Sequence, residues 1–155
     1  MMSNKDIPLI LISNDDGYMA PGINVLVDML APTGVRLLVC APDGPRSGYS
    51  CAFSSELPLR LKPISRKDNV EIWACNGTPV DCVKLAIDRI LGGKMPDMVI
   101  GGINHGDNST VNNHYSGTMG IAKEGCMKYI PSVAFSSCYY NHDADLSPLA
   151  PYVRA

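Results

Sequence analysis

Ile7-Pro8-Leu9-Ile10-Leu11-Ile12-Ser13, running straight into Asn14-Asp15-Asp16-Gly17, is the stretch that decides the fold class. A continuous apolar run stopped by a polar turn marks a strand buried on both faces of a parallel sheet. Downstream, Ile23, Leu26, Val27 and Leu30 fall on one face of a helix that Pro32 and Gly34 close. Val35–Ala41 (VRLLVCA) repeats the buried-strand pattern and ends at Pro42. Strand, helix and strand over residues 7–41 make a β-α-β unit, so the chain is α/β.

The same reading extends along the chain. Leu57, Leu59 and Leu61 alternate like a half-buried strand, and Pro58 and Pro63 demote it to an edge. Val70–Cys75 (VEIWAC) is a short strand. After it Gly77 turns the chain into a helix with Thr78 as N-cap, Pro79 at the first helical position and Asp81 in the first turn, expected to run to Leu91 before Gly92-Gly93. Met98–Ile103 (MVIGGI) is the next buried strand, and 104–115 is read as a polar loop. Ser116 caps a further helix through Met127, and Ser132–Ser137 (SVAFSS) is the last strand. The tail, YYNHDADLSPLAPYVRA, has no periodicity.

With 155 residues, 46% of them hydrophobic and 18% charged, one domain over 1–155 with its own core is expected, and disorder is excluded. The net charge of −2 argues against a nucleic-acid polymer as partner, and no apolar run approaches the roughly 20 residues of a membrane span. The six cysteines are scattered without a CxxC pair, and the N-terminal apolar stretch is too short for a secretory leader. Reduced thiols and a cytoplasmic location follow.

In an open parallel sheet the chemistry gathers beyond the carboxyl ends of the strands. Three polar clusters stand there: Asn14-Asp15-Asp16-Gly17, Arg46-Ser47-Gly48, and Gly101-Gly102-Ile103-Asn104 continuing to Gly106, Asn108 and Tyr115-Ser116-Gly117-Thr118. Adjacent aspartates bent together at a glycine repel unless a cation sits between them. Mg²⁺ and Mn²⁺ prefer oxygen, and the Ser47 hydroxyl and Asn104 carbonyl can complete such a set. Asp-Asp-Gly alone is equally a solvated turn. Ser116-Gly117-Thr118 opens a helix whose free N–H groups and dipole suit a phosphate, yet it is also an ordinary cap. His105, His114 and His142 read as loop or surface histidines rather than ligands, with a phosphate contact or proton shuttle left open for His105. There is no GxxxxGK[ST] loop, no GxGxxG and no DxDx[TV], which removes the P-loop, dinucleotide and aspartyl-phosphate readings.

Taken together, LISNDDGYMAPGI (11–23), APDGPRSGYS (41–50), NGTPVDCV (76–83), PDMVIGGINHGDN (96–108) and HYSGTMGIAKEG (114–125) resemble the SurE family of metal-dependent 5′-nucleotidases, in that family's order and spacing. The resemblance implies a Rossmann-like three-layer α/β/α fold with a mostly parallel sheet. It implies hydrolysis of nucleoside 5′-monophosphates, with tolerance for 3′-monophosphates and short polyphosphate. One divalent cation per chain, Mg²⁺ or Mn²⁺, falls to Asp15, Asp16, Ser47 and Asn104, and the phosphate to Asn108, Ser116, Gly117 and Thr118. Asp15 and Asp16 are the catalytic pair, one of them accepting a proton from the attacking water. Family members continue well beyond this length, so the chain is expected to lack a C-terminal part, and a homo-oligomer, dimer or tetramer, is expected of the full-length form. A non-catalytic nucleotide- or phosphate-binding fragment is the alternative, and a remnant with an exposed apolar face the blander one. Residues 109–113 (STVNN) depart from the Gly and acidic residues common in the family.

Overall fold

A computed structural model of the chain describes residues 7–155; the leader reading above falls partly on residues 1–6, outside the described residues. Six strands form one sheet: β1 (Leu9–Ser13), β2 (Arg36–Pro42), β3 (Leu61–Lys67), β4 (Val70–Cys75), β5 (Met98–His105) and β6 (Ser132–Ser137). Their spatial order is β3-β4-β2-β1-β5-β6. Every pairing is parallel except the antiparallel β3–β4 edge. The expected α/β/α architecture with a mostly parallel sheet is therefore observed.

Pleating explains the unbroken apolar runs. Successive side chains point to opposite faces, so a strand covered on both sides needs apolar residues at every position. Ile10 and Ile12 of β1 join Leu37 and Val39 of β2 in one core, against Ile23, Leu26 and Leu30 of α1 (Pro21–Leu30). Leu11, Leu38 and Cys40 point the other way. They pack with Cys82 and Val83 of α2 (Pro79–Leu85) and Ile121 of the helix over Gly117–Met127. On that same face, buried Glu124 of the last helix pairs with Lys84 of α2 at 3.0 Å and with Lys128, four residues further along, at 3.5 Å.

Helix starts follow the sequence closely. Thr78 and Asp81 form a reciprocal capping box, the Thr78 hydroxyl accepting from Asp81 N and the Asp81 carboxylate from Thr78 N. Ser116 accepts from Met119 N at 3.1 Å and opens its helix as expected.

The helical run from Pro79 reaches Ile90 with Leu91 as its C-cap, as expected, but it is regular only to Leu85 and continues as a wider turn over Ala86–Ile90, stopped by Gly92 and Gly93 at φ +60° and +83°. Elsewhere the chain departs from expectation. The edge strand begins at Leu61, not Leu57, because its ladder can form only where Cys75 and Val70 of β4 lie opposite. β5 runs on through Asn104 and His105 by slipping register on β6 after Gly101, and the expected loop also holds a short helix, α3 (Asn112–Tyr115). The helix over Gly117–Met127 is α4. The tail is docked: Leu146 and Val153 are buried, one turn forms α5 (Ala150–Val153), and Arg154 Nε donates to Met29 O at 3.0 Å. Two apolar anchors seven residues apart carry no periodic signal.

Candidate active site

β1 has β2 on one side and β5 on the other, so the direction of winding reverses between β1 and β5. Such a switch point opens a crevice beyond the carboxyl ends of the two strands. Asn14 shapes the β1 side. Its Nδ2 donates to Gly17 O at 2.8 Å and its Oδ1 accepts from Gly17 N at 3.1 Å, closing a ring that Gly17 completes at φ +105°. That ring fixes the two aspartates between its ends, a role for Asn14 the sequence reading did not assign.

Asp15 is buried and its surroundings are specific. Thr118 Oγ1 donates to Asp15 Oδ1 at 2.6 Å, and Arg46 N donates to Asp15 O at 2.7 Å. Gly117 lies so close that an added Cβ would sit 2.8 Å from Asp15 Cβ. The start of α4 is thus pressed against the end of β1. Burial, and then the Asp16 charge, push the Asp15 carboxyl above its ordinary value, against the pull of the Thr118 hydroxyl. Asp16 is half-buried and is raised by burial too, with His142 pulling it back. Among the described residues neither aspartate has a salt-bridge partner.

The remaining expected residues are placed as follows. Asn104 Nδ2 donates to Gly106 O at 3.1 Å, which leaves the Oδ1 oxygen available. Ser47 is exposed and directly follows Arg46, whose N–H is tied to Asp15. Ser116 spends its hydroxyl on the α4 cap, and the N–H groups of Gly117 and Thr118 precede the first bond of the helix, Gly120 N to Ser116 O at 3.0 Å. The Thr118 hydroxyl is committed to Asp15. Asn108 is turned to β6, its Nδ2 donating to Ser136 Oγ at 2.7 Å. His105 is not a loop histidine: it ends β5, both ring nitrogens are buried without a hydrogen-bond partner, and its ring centroid is 5.1 Å from that of exposed His142. Burial and His142 lower its pKa.

The segment carrying Ser47 is stitched down along its length. Asp81 accepts from Ser54 N at 2.9 Å and Ser54 Oγ at 2.8 Å, Thr78 Oγ1 donates to Ala52 O at 2.7 Å, and Ser50 bonds the carbonyls of His114 and Tyr115. Asp81 therefore serves the α2 cap and the loop at once. Asp81→Ala is expected to cost about 2–3 kcal/mol, from the lost charged hydrogen bonds and the lost cap, read as a lower urea midpoint at unchanged m-value.

A depression of about 480 Å³ among Leu9, Arg36, Asn69 and Glu71 lies where β1 and β2 begin, at the opposite end of the sheet. Its polar lining, Arg36, Arg66, Asp68, Asn69 and Glu71, includes none of the three polar clusters beyond the carboxyl ends of the strands, and the candidate site is the switch-point crevice. No group of three or more His, Cys, Asp and Glu suited to a metal occurs among the described residues, so any cation here would rest on two carboxylates with hydroxyl and amide oxygens.

A doubly wound α/β sheet with paired aspartates and a helix N-terminus meeting at its switch point defines the class of the molecule. The family model described as "Survival protein SurE" matches residues 10–155, and the chain belongs to that family. It is 52% identical over 147 residues to the 5′-nucleotidase SurE of Bacteroides thetaiotaomicron, covering 95% of this chain and 56% of the relative. It is 52% identical over 153 residues to that of Bacteroides fragilis, covering 99% and 59%. The crystal structure of the SurE protein from Aquifex aeolicus superposes with a TM-score of 0.81 at 37% identity, over 94% of this chain and 56% of that one. The chain thus spans less than three fifths of the length of these relatives. No helix among the described residues is long and apolar enough to cross a membrane.

Proposed function

We propose that the chain carries the catalytic centre of a divalent-metal-dependent phosphomonoesterase acting on nucleoside 5′-monophosphates, with 3′-monophosphates and short polyphosphate as secondary substrates. The observation that carries it is the contact between Asp15 and the start of α4, through the Thr118 hydrogen bond and the closely fitted Gly117, which joins an acidic pair to an anion cradle. The 5′-nucleotidase names of the relatives point the same way.

The oxygen atoms suit Mg²⁺ or Mn²⁺. Asp15 and Asp16 are neighbouring carboxylates with no salt-bridge partner among the described residues, and Asn104 Oδ1 is an available amide oxygen. With Ser47 they would hold one cation, which supplies Lewis-acid polarisation of the phosphoryl group and a more acidic water. The chain's own residues do the rest. The N–H groups of Gly117 and Thr118, at the positive end of α4, orient the phosphate and meet charge as it builds on its oxygens. Asn108 and Ser116 border that seat. Thr118 holds Asp15 in one rotamer. Asp16, the more accessible carboxylate, accepts the proton of the attacking water. The same proposal takes the chain as a single domain of a cytoplasmic protein that forms a dimer or tetramer at full length.

Phosphate release from AMP and p-nitrophenyl phosphate with Mg²⁺ or Mn²⁺, abolished by EDTA, is the expected result. A folded chain that binds AMP by calorimetry but releases no phosphate would replace this reading with a binding module.

A further inference from the structure

We propose that Cys75 and Cys82 form a dithiol that a hydroperoxide closes to an intrachain disulfide, and that closure loosens the loop carrying Ser47. Three cysteines meet between the sheet and α2. Cys40 of β2 and Cys75 of β4 lie on one face of the sheet, because Cys75 pairs with Pro42, two residues beyond Cys40. Cys82 of α2 packs onto that face, and its thiol touches both of theirs. All three are free and buried, and the phosphate chemistry does not use them.

The two contacts of Cys82 are not equivalent. Cys75 Sγ accepts from Gly77 N at 3.3 Å, a donor that favours the thiolate. The Cys82 contact and that N–H hold the Cys75 thiol below its ordinary value against burial, while burial pushes Cys82 up. Cys75 is therefore the nucleophile, and Cys82 keeps its proton until the second step. Cys40 lies within β2, between β1 and β4, whereas Cys75 ends its strand and Cys82 lies in the first turns of α2, so the short segment between them can adjust. The Cys75 thiolate attacks one oxygen of the hydroperoxide and its O–O bond breaks. The other oxygen leaves as an alcohol, or as water from hydrogen peroxide, and Cys75 becomes a sulfenic acid. The Cys82 sulfur then attacks the Cys75 sulfur: the S–S bond forms, the S–O bond breaks, and hydroxide leaves as water with the Cys82 proton. Burial restricts the first step to small oxidants that enter through local opening, and makes it slow.

Closure reaches the loop because residues 75–81 are its floor. Cys75 O accepts from Asp43 N at 2.7 Å, Thr78 Oγ1 donates to Ala52 O, and Asp81 accepts from Ser54 N and Ser54 Oγ. Drawing two sulfurs from contact to a bond of about 2.0 Å pulls the start of α2 toward β4. Asp81, next to Cys82, moves with it and gives up its hold on Ser54.

The test treats the native folded chain with hydrogen peroxide, alkylates the remaining thiols after unfolding and weighs the tryptic peptides. Cys75 and Cys82 fall in one peptide, 68–84, and Cys40 in another, 37–46. The expected product is peptide 68–84 lighter by two hydrogens and unalkylated, restored by dithiothreitol. A link between 37–46 and 68–84 overturns the pairing, as does full alkylation of Cys75 and Cys82 once exposed Cys126 and Cys138 are oxidised. Brief tryptic digestion of the folded chain at the Arg46–Ser47 bond reads the loop. The oxidised chain is expected to be cut there roughly 5- to 30-fold faster, the factor that goes with losing anchoring hydrogen bonds. Equal rates overturn the effect on the loop. In Cys82→Ala, peroxide should leave the cutting rate unchanged and leave Cys75 as a sulfenic acid that dimedone captures; the same acceleration in that variant overturns the role of the bridge. Mapping and digestion of the native chain stand without the variant, and none of these readouts depends on phosphate release.

Discussion

Asp15→Asn and Asp16→Asn are each expected to lower metal-dependent phosphate release from AMP by a factor on the order of 10²–10⁴, the range spanned by losing a positioned general base or a cation's charged ligand. Stability moves the other way. Both carboxyls are pushed above the ordinary value, Asp15 by burial and then by the Asp16 charge, Asp16 by burial. The metal-free folded chain then binds these protons more tightly than the unfolded chain does. Its stability falls as pH rises from the unfolded carboxylate range through the raised values, and stays lower above them. At neutral pH the pair is a buried repulsion that Asn relieves, while Asn at 15 still accepts the Thr118 hydroxyl through its amide oxygen. Metal-free Asp15→Asn should therefore melt higher than the native chain at pH 7.5, each 1 kcal/mol appearing as about 2–4 °C, and the gap should close toward pH 4. Mg²⁺ should raise the melting temperature of the native chain by mass action and leave that of the variant nearly unmoved. Near-normal turnover by both variants would sink the assignment of the pair.

The aspartates themselves are plain in the sequence, and their environment is not. β1, β2 and β5 are readable because burial on both faces forces an apolar residue at every position. Thr78-Pro79-Val80-Asp81 and Ser116 declare their helices because capping is chemistry within four residues. Local pattern fails where a residue answers to something distant. Asn104 and His105 look like loop because they are polar, yet they end a strand at the carboxyl edge of the sheet. Thr118 reads as one more phosphate contact, and its hydroxyl is instead spent on Asp15, 103 positions away. Asp81 reads as an acidic residue in the first turn of its helix and also anchors Ser54, 27 residues upstream. His105 shows no sign in sequence that its ring nitrogens will be buried without partners. Each of these is a tertiary environment, created only when distant parts of the chain are brought together by the sheet.

Gly117→Ala tests that convergence directly, and its expected effect on activity is nearly as large as that of removing a carboxylate. A Cβ at 117 would lie 2.8 Å from Asp15 Cβ and 3.1 Å from Pro79 Cγ, closer than packed carbons tolerate. Neither neighbour is the loose end of a flexible chain: Asp15 is held by Thr118 and Arg46, and Pro79 is the first residue of α2. The start of α4 must therefore move away from β1. The residue's φ is not in the left-handed region and alanine favours a helix, so backbone preference does not oppose the change. What remains is the overpacking cost, about 1–3 kcal/mol, partly offset by helix propensity. The larger consequence is geometric: the Thr118–Asp15 hydrogen bond and the N–H groups of α4 are displaced together, and a shift near 1 Å is worth roughly 100-fold in turnover. Gly44→Ala is the matched control, because a Cβ there meets only Arg46 Nη1 at an ordinary 3.7 Å. Steady-state assays of both variants beside urea denaturation separate the two effects. A folded Gly117→Ala chain with native kcat/KM would mean that the contact between β1 and α4, and with it the Thr118–Asp15 hydrogen bond, does not set the site.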